Sequence, residues 1–303
     1  MIVCGCCKRL SLQHDNHKDF CLPQWRFTPL PVFLIFRIIE AVVLTAGFFY
    51  GFVISAQYNM GLGQFVYLTI WTYNIATVFH ISAAVCTFTA YWQRIKRRVS
   101  RPDDGNGNST ENGSWFGKET NGYEPLNRIH IPSWLAKMTW FCFHVSLAWS
   151  PVVAIVYWSF LHGYLDLNSK GKIFYNIQIH AVPGATMIME LILSPVPVKM
   201  AHFFYPYLIG IIYVVFNLIY CLSGALDPIT GENEIYIFLD WIDEPMMCLL
   251  SLLVISVALI FVYCVLVVIN VAKLKFSQWI DSHRVEVENQ EEMEIGPSTT
   301  NDV

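Results

Sequence analysis

Charge is scarce in this sequence: Asp, Glu, Lys and Arg make up 14% of 303 residues, where soluble domains carry roughly 25%. That scarcity excludes an ordinary water-soluble fold, because 55% of the residues are hydrophobic and 15% aromatic, with a mean hydropathy of +0.45. Basic residues are not gathered into a domain, which excludes recognition of nucleic acid by that route. Walker, GxGxxG and HExxH motifs are missing too, and with them the usual cradles for nucleotides, dinucleotides and catalytic zinc. No cofactor and no metal is expected. No internal repeat is detectable. The net charge of −4 says little, because the charges are segregated along the chain.

The nine cysteines form no disulfide framework. Cys86, Cys142, Cys221, Cys248 and Cys264 lie in or beside apolar runs, where cysteine behaves as a small core residue. Cys4, Cys6 and Cys7 cluster as CGCC ahead of Lys8 and Arg9, a pattern like that of a palmitoylation site beside a basic patch. Unmodified thiols and a metal site are the alternatives, and no further ligands lie close by for the latter.

What is present is a set of long apolar runs. About 20 apolar residues cross a hydrocarbon core, and six segments meet that length: 31–56, 64–92, 138–161, 173–194, 203–222 and 246–272. The expected fold is an all-α membrane protein, a bundle of six transmembrane helices. Residues 1–30 form an amino-terminal segment, 31–272 the membrane domain with a flexible loop at 93–137, and 273–303 a disordered tail. Basic residues flank one side: Lys8, Arg9, Lys18, Arg26, the run Arg94, Lys96, Arg97, Arg98, then Arg101, Lys199, Lys273 and Lys275. The loop after the fifth span is acidic, from Asp227 to Glu244. The positive-inside rule then places both termini and the 93–137 loop in the cytoplasm. Sequons at Asn108 and Asn112 fall in that loop and are expected to be unused; the host membrane is the plasma membrane or the endoplasmic reticulum.

Polar residues within the spans carry the functional signal, since ionisable groups in a bilayer interior are expensive and face other helices or water. The fourth span, IFYNIQIHAVPGATMIMELILS, holds His180, Pro183 and Glu190. Arg37 and Glu40 lie one turn apart in the first span, and either Glu40 or Glu190 can serve Arg37 as a partner. His80 and His144 have an ordinary reading as histidines satisfied by a neighbouring carbonyl or hydroxyl. Entering from the outer side at Gln64, the second span puts Thr69 ~7–8 Å deep; entering at Ile173, the fourth puts His180 ~10 Å deep, at 1.5 Å per residue. A hydroxyl and an imidazole at one level form a base-activated nucleophile pair. Against this, Thr69 has the plain alternative of bonding its own helix backbone. Asn74 is a candidate to orient a partner or donate to an oxyanion.

The stretch Ile179–Pro228 with Ile235–Trp241 (IYIFLDW), together with LTIWTYN at 68–74, resembles the rolling stone proteins, membrane proteins linked to myoblast fusion. These in turn resemble, more distantly, the androgen-induced and androgen-dependent TFPI-regulating proteins, six-span threonine hydrolases of fatty acid esters of hydroxy fatty acids. That resemblance implies a nucleophile at Thr69 in Leu68-Thr69 and a base at His180 ahead of Met189-Glu190-Leu191. The flanks differ: Trp71 and Thr72 come after the first motif, and SPVPVKMAHFFYP stands where the hydrolases have a polar turn. Two readings emerge. One is a lipid-ester hydrolase acting on membrane lipids; the other is a non-enzymatic protein of cell fusion or membrane organisation working through a protein partner. A channel or transporter is a third, without repeats or a polar pore stripe to support it.

Overall fold

The structure, a computed structural model, describes residue 12 and residues 17–99, 129–162 and 170–295. Helices account for the regular structure there, with no strand among the described residues. They are α1 (Leu30–Gln57), α2 (Leu68–Val99), α3 (Ser133–Val156), α4 (Lys170–His180), α5 (Val182–Leu193), α6 (Phe204–Leu222) and α7 (Pro245–Ile295). Five stretches are long and apolar enough to cross a membrane: Leu30–Gln57, Leu68–Arg97, Ser133–Leu161, Met200–Leu222 and Pro245–Arg284.

The segment 173–194, a single span by sequence, is two half-helices. Pro183 has no N–H to offer the carbonyl one turn before it, and Ala181, with φ −108°, separates α4 from α5. His180 is therefore the last residue of a half-helix rather than the middle of a span. A second proline, Pro151, lies inside α3, which ends in a π turn, Tyr157–Leu161. Such turns re-aim side chains and cluster at functional sites.

Packing places α3 at the centre. Buried positions make up 67% of its apolar stretch but 17% of that of α7, so α7 presents most of its surface outward. Small residues Ala76, Ala83, Cys86 and Ala90 are all fully buried on α2, and they let α1 and α3 approach it closely. At one end of the bundle the residues 17–29 fold back over the helices. Phe20 is fully buried against Trp140, edge to face at 6.0 Å. The Gln24 N–H donates to Leu193 O at 2.8 Å and Trp25 Nε1 to Ile192 O at 3.1 Å. Lys273 Nζ donates to Leu191 O at 2.8 Å and Ser194 O at 2.7 Å. The carbonyls that a helix end leaves open are thus filled at α5 by two other parts of the chain, one of them a cation at the favourable helix terminus.

Two boundaries differ from the sequence reading. α2 continues through the basic run to Val99, so residues 93–99 are helix rather than loop. α7 is a single helix of 51 residues, so 273–295 is helical where a disordered tail was expected. Lys273, Gln24–Ser277 (3.1 Å) and Arg26–Asp281 (3.5 Å) hold the first turns of this extension to the bundle, and no Gly or Pro interrupts the helix from there to Ile295. The sequons at Asn108 and Asn112 lie outside the described residues.

Candidate functional site

Thr69 stands in the first turn of α2, where backbone N–H groups have no intrahelical acceptor. The Leu68 N–H donates to the Tyr236 hydroxyl at 3.1 Å, and Thr69, through backbone and side chain, lies against the same hydroxyl. Tyr236 belongs to the 223–244 loop, which is fastened across this end of the bundle. The Tyr67 hydroxyl donates to Asp227, whose other carboxylate oxygen accepts from the Thr230 N–H and hydroxyl, each at 2.8 Å. Trp241 Nε1 donates to Asn217 at 2.8 Å, and the Tyr213 hydroxyl to Val66 O at 2.9 Å. Pro228 packs on Gly63, where a Cβ would come within 2.7 Å of the proline ring. Burial pushes the Tyr236 hydroxyl above the ordinary tyrosine range, so it remains a neutral O–H donor.

Beneath this strap lies a cavity of about 280 Å³, near the lower end of the size range of ligand sites. It is bounded by α3, α6, α7 and the strap. Thr69, Tyr157, Tyr207, Tyr213, Tyr236 and Ser256 are its hydroxyl-bearing lining residues, and aliphatic side chains cover most of the rest. α6 and α7 each pack on α3 but hardly on one another. Lining residues Ile211 and Val215 are 46% and 49% exposed. Part of the cavity wall on α6 is thus exposed at the outside of the bundle.

His180 is 7% exposed and does not line this cavity. Its ring stacks on Tyr157 with centroids 3.5 Å apart and planes 5° apart, and Tyr157 is the residue that lines the wall. No hydrogen bond joins Thr69 to His180 among the described residues, and His180 Nδ1 is buried without a hydrogen-bond partner. The structure brings Thr69 to the cavity and keeps His180 behind the Tyr157 ring. Asn74 goes elsewhere: it borders a separate small void with Tyr73, Gln64 and Tyr175, and its Oδ1 is buried without a partner.

At the other end, Arg37 is 1% exposed and forms a buried ion pair with Glu190. Its guanidinium also donates to Phe20 O, Ala83 O (3.2 Å), Thr87 Oγ1 (2.8 Å) and Ser194 Oγ (3.2 Å). Of the two carboxylates open to it, Arg37 takes Glu190, and Glu40 turns to His80. Arg37 and Glu190 thus tie α1 to α5, far from Thr69. His144 enters a directed chain. The Tyr263 hydroxyl donates to Lys199 O (2.9 Å), so it accepts from His144 Nδ1 (2.9 Å), and His144 Nε2 accepts from His202 Nδ1 (2.8 Å). Cys4, Cys6 and Cys7 lie outside the described residues.

Sequence reasoning missed Tyr157, Tyr236, Lys273 and His202. Only the prolines near Tyr157 and the IYIFLDW stretch around Tyr236 offered a signal. By sequence Lys273 is one flanking base among several, and His202 part of a turn.

Fold and polar interior define an all-α protein of the membrane. The chain belongs to the rolling stone family: the family model, described as Protein rolling stone, matches residues 129–282, half of the sequence, from the start of α3 through most of α7. Protein rolling stone of Drosophila melanogaster is 25% identical over 187 residues, covering 62% of this chain and 59% of that protein. The matched region thus spans about three fifths of the relative's length. No solved structure matches. The family match contains His180, Tyr157 and Tyr236; Thr69 precedes it.

Proposed function

We propose that this chain is a six-span membrane protein, with α4 and α5 forming one broken span and both termini cytoplasmic, that binds a lipid acyl chain in the cavity at Thr69 and cleaves its ester there. The observation that carries this reading is the Thr69 hydroxyl at the wall of an apolar cavity. Thr69 Oγ1 attacks the ester carbonyl; His180 takes the hydroxyl proton and returns it to the departing alcohol. Water then attacks the acyl-threonine, giving the free acid and restoring the threonine. The Tyr236 hydroxyl, which lies against Thr69, stabilises the oxyanion. For His180 to reach Thr69, the Tyr157 ring must leave its face, and lipid entry beside Tyr157 is the event that moves it.

The test is hydrolysis of a fatty acid ester of a hydroxy fatty acid by the purified full chain in lipid nanodiscs. Thr69→Ala and His180→Ala each abolish turnover while leaving the unfolding temperature near that of wild type; turnover surviving in both contradicts the reading.

A second reading is favoured by the closed His180–Tyr157 stack: a non-enzymatic member acting in cell fusion or membrane organisation through a partner. It expects both variants to keep activity in a cell-fusion assay, with substitutions in the 223–244 loop abolishing it. Orientation is tested separately, since glycan attached at Asn108 or Asn112 reverses it.

A further inference from the structure

Glu40 on α1 and His80 on α2 face each other in the interior, 5% and 0% exposed, with Glu40 Oε2 3.2 Å from His80 Nδ1. Neither carboxylate oxygen and neither ring nitrogen makes an aligned hydrogen bond, to each other or to any other group among the described residues, so the pair stands at contact distance with its polar atoms unsatisfied. The charged groups acting on the pair are Arg37, one turn away on α1, and Glu190 on α5. Lys273 on α7 lies beyond, engaged with the Leu191 and Ser194 carbonyls. His144 on α3 is engaged in the chain to Tyr263 and His202. Arg37 is already neutralised by Glu190.

A second, unpaired carboxylate beside Glu190 would be a buried charge without a counterion or donors, the most expensive state a side chain can take in a bilayer interior. An imidazole at hydrogen-bond distance removes that cost if one proton lies between the two groups. We propose that Glu40 and His80 form an intramembrane proton-binding site, holding one exchangeable proton between Glu40 Oε2 and His80 Nδ1. In its resting form Glu40 is the carboxylic acid and donates to a neutral His80. Losing the proton leaves a net negative charge next to Arg37–Glu190, so proton occupancy and the packing of α1, α2 and α5 are coupled. Glu190 is held by the Arg37 guanidinium. The site is independent of Thr69 and its cavity.

Two measurements on the purified full chain test this. Infrared spectroscopy at neutral pH shows a carboxylic-acid C=O band in the wild type that is absent from Glu40→Gln and retained in Glu190→Gln. His80→Gln keeps the band but shifts it, because the acid has lost its imidazole acceptor. Dicyclohexylcarbodiimide, which takes up the acid proton as the carboxylate adds to its central carbon, modifies Glu40 and leaves Glu190 unmodified, as read by peptide mass. Glu40→Gln loses the modification. An absent acid band, a band that survives Glu40→Gln, or modification falling on Glu190 overturns the proposal; an unshifted band in His80→Gln removes His80 from it.

Discussion

His180 lies flat on Tyr157, 3.5 Å between ring centroids and 5° between planes, and this stack separates the imidazole from the cavity that Thr69 lines. The relationship makes Tyr157 the residue on which a threonine–histidine chemistry depends. A smaller side chain at 157 opens the wall between the two. Tyr157→Ala is therefore expected to enlarge the cavity and, in the hydrolase reading, to raise ester turnover at low substrate concentration several-fold. A fall in turnover to the level of His180→Ala indicates that the stack positions the base instead.

The buried ion pair predicts an asymmetry. Glu190→Gln leaves the Arg37 guanidinium buried without its counterion and should destabilise the fold by about 3–5 kcal/mol, whereas replacing both partners with apolar residues should recover most of that loss. Thermal unfolding in detergent of Glu190→Gln and of the Arg37→Met/Glu190→Met double variant checks this. Equal losses in single and double variants contradict it.

Lys273 is expected to matter as much as a core residue, although by sequence it is only a flanking base. Its two hydrogen bonds close the α5 carbonyls, and bonds to a charged donor contribute roughly 1.5–3 kcal/mol each. Lys273→Met should lower the unfolding temperature clearly, while Lys275→Met, on the exposed side, should leave it within experimental error. The two variants measured side by side decide the point.

The strap over the cavity should loosen in alkali. Burial and the Asp227 carboxylate raise the Tyr67 hydroxyl above its ordinary value, so the folded loop holds a proton that the unfolded loop releases at about pH 10. The contribution is complete below that pH and declines as pH rises through it, because the folded state then binds more protons than the unfolded one. Protease cleavage within 223–244 should accelerate above that pH in the wild type. Tyr67→Phe should flatten this pH dependence.

Glycine at 47 is required by a close approach. A Cβ there would sit 2.2 Å from the Tyr73 hydroxyl and 2.6 Å from Gln178, groups that bond to each other at 3.0 Å and to the α1 carbonyls Leu44 (2.7 Å) and Val43 (3.1 Å). Gly47→Ala should cost about 1–3 kcal/mol by overpacking, measurable by the same thermal unfolding.

The long apolar runs made the helices legible, since a bilayer demands length and hydrophobicity and little else. Arg37 with Glu190 was open to sequence reasoning because a buried charge needs a partner. The choice between Glu40 and Glu190 was not, because it depends on which helix face turns inward. Depth arithmetic brought Thr69 and His180 to a common level but carried no information about rotation around each helix. That is why the Tyr157 ring between His180 and the cavity went unseen. The α5 carbonyls were equally invisible: their partners, Gln24, Trp25 and Lys273, come from opposite ends of the chain.

Thr69 as the nucleophile is tested most directly by site mapping with a long-chain alkyl fluorophosphonate, applied to the full chain in nanodiscs and read by peptide mass spectrometry. The expected result is a covalent adduct on Thr69 that disappears in Thr69→Ala and is strongly reduced in His180→Ala. An adduct on another residue that persists in Thr69→Ala, or no adduct in a preparation that hydrolyses lipid ester, contradicts the assignment.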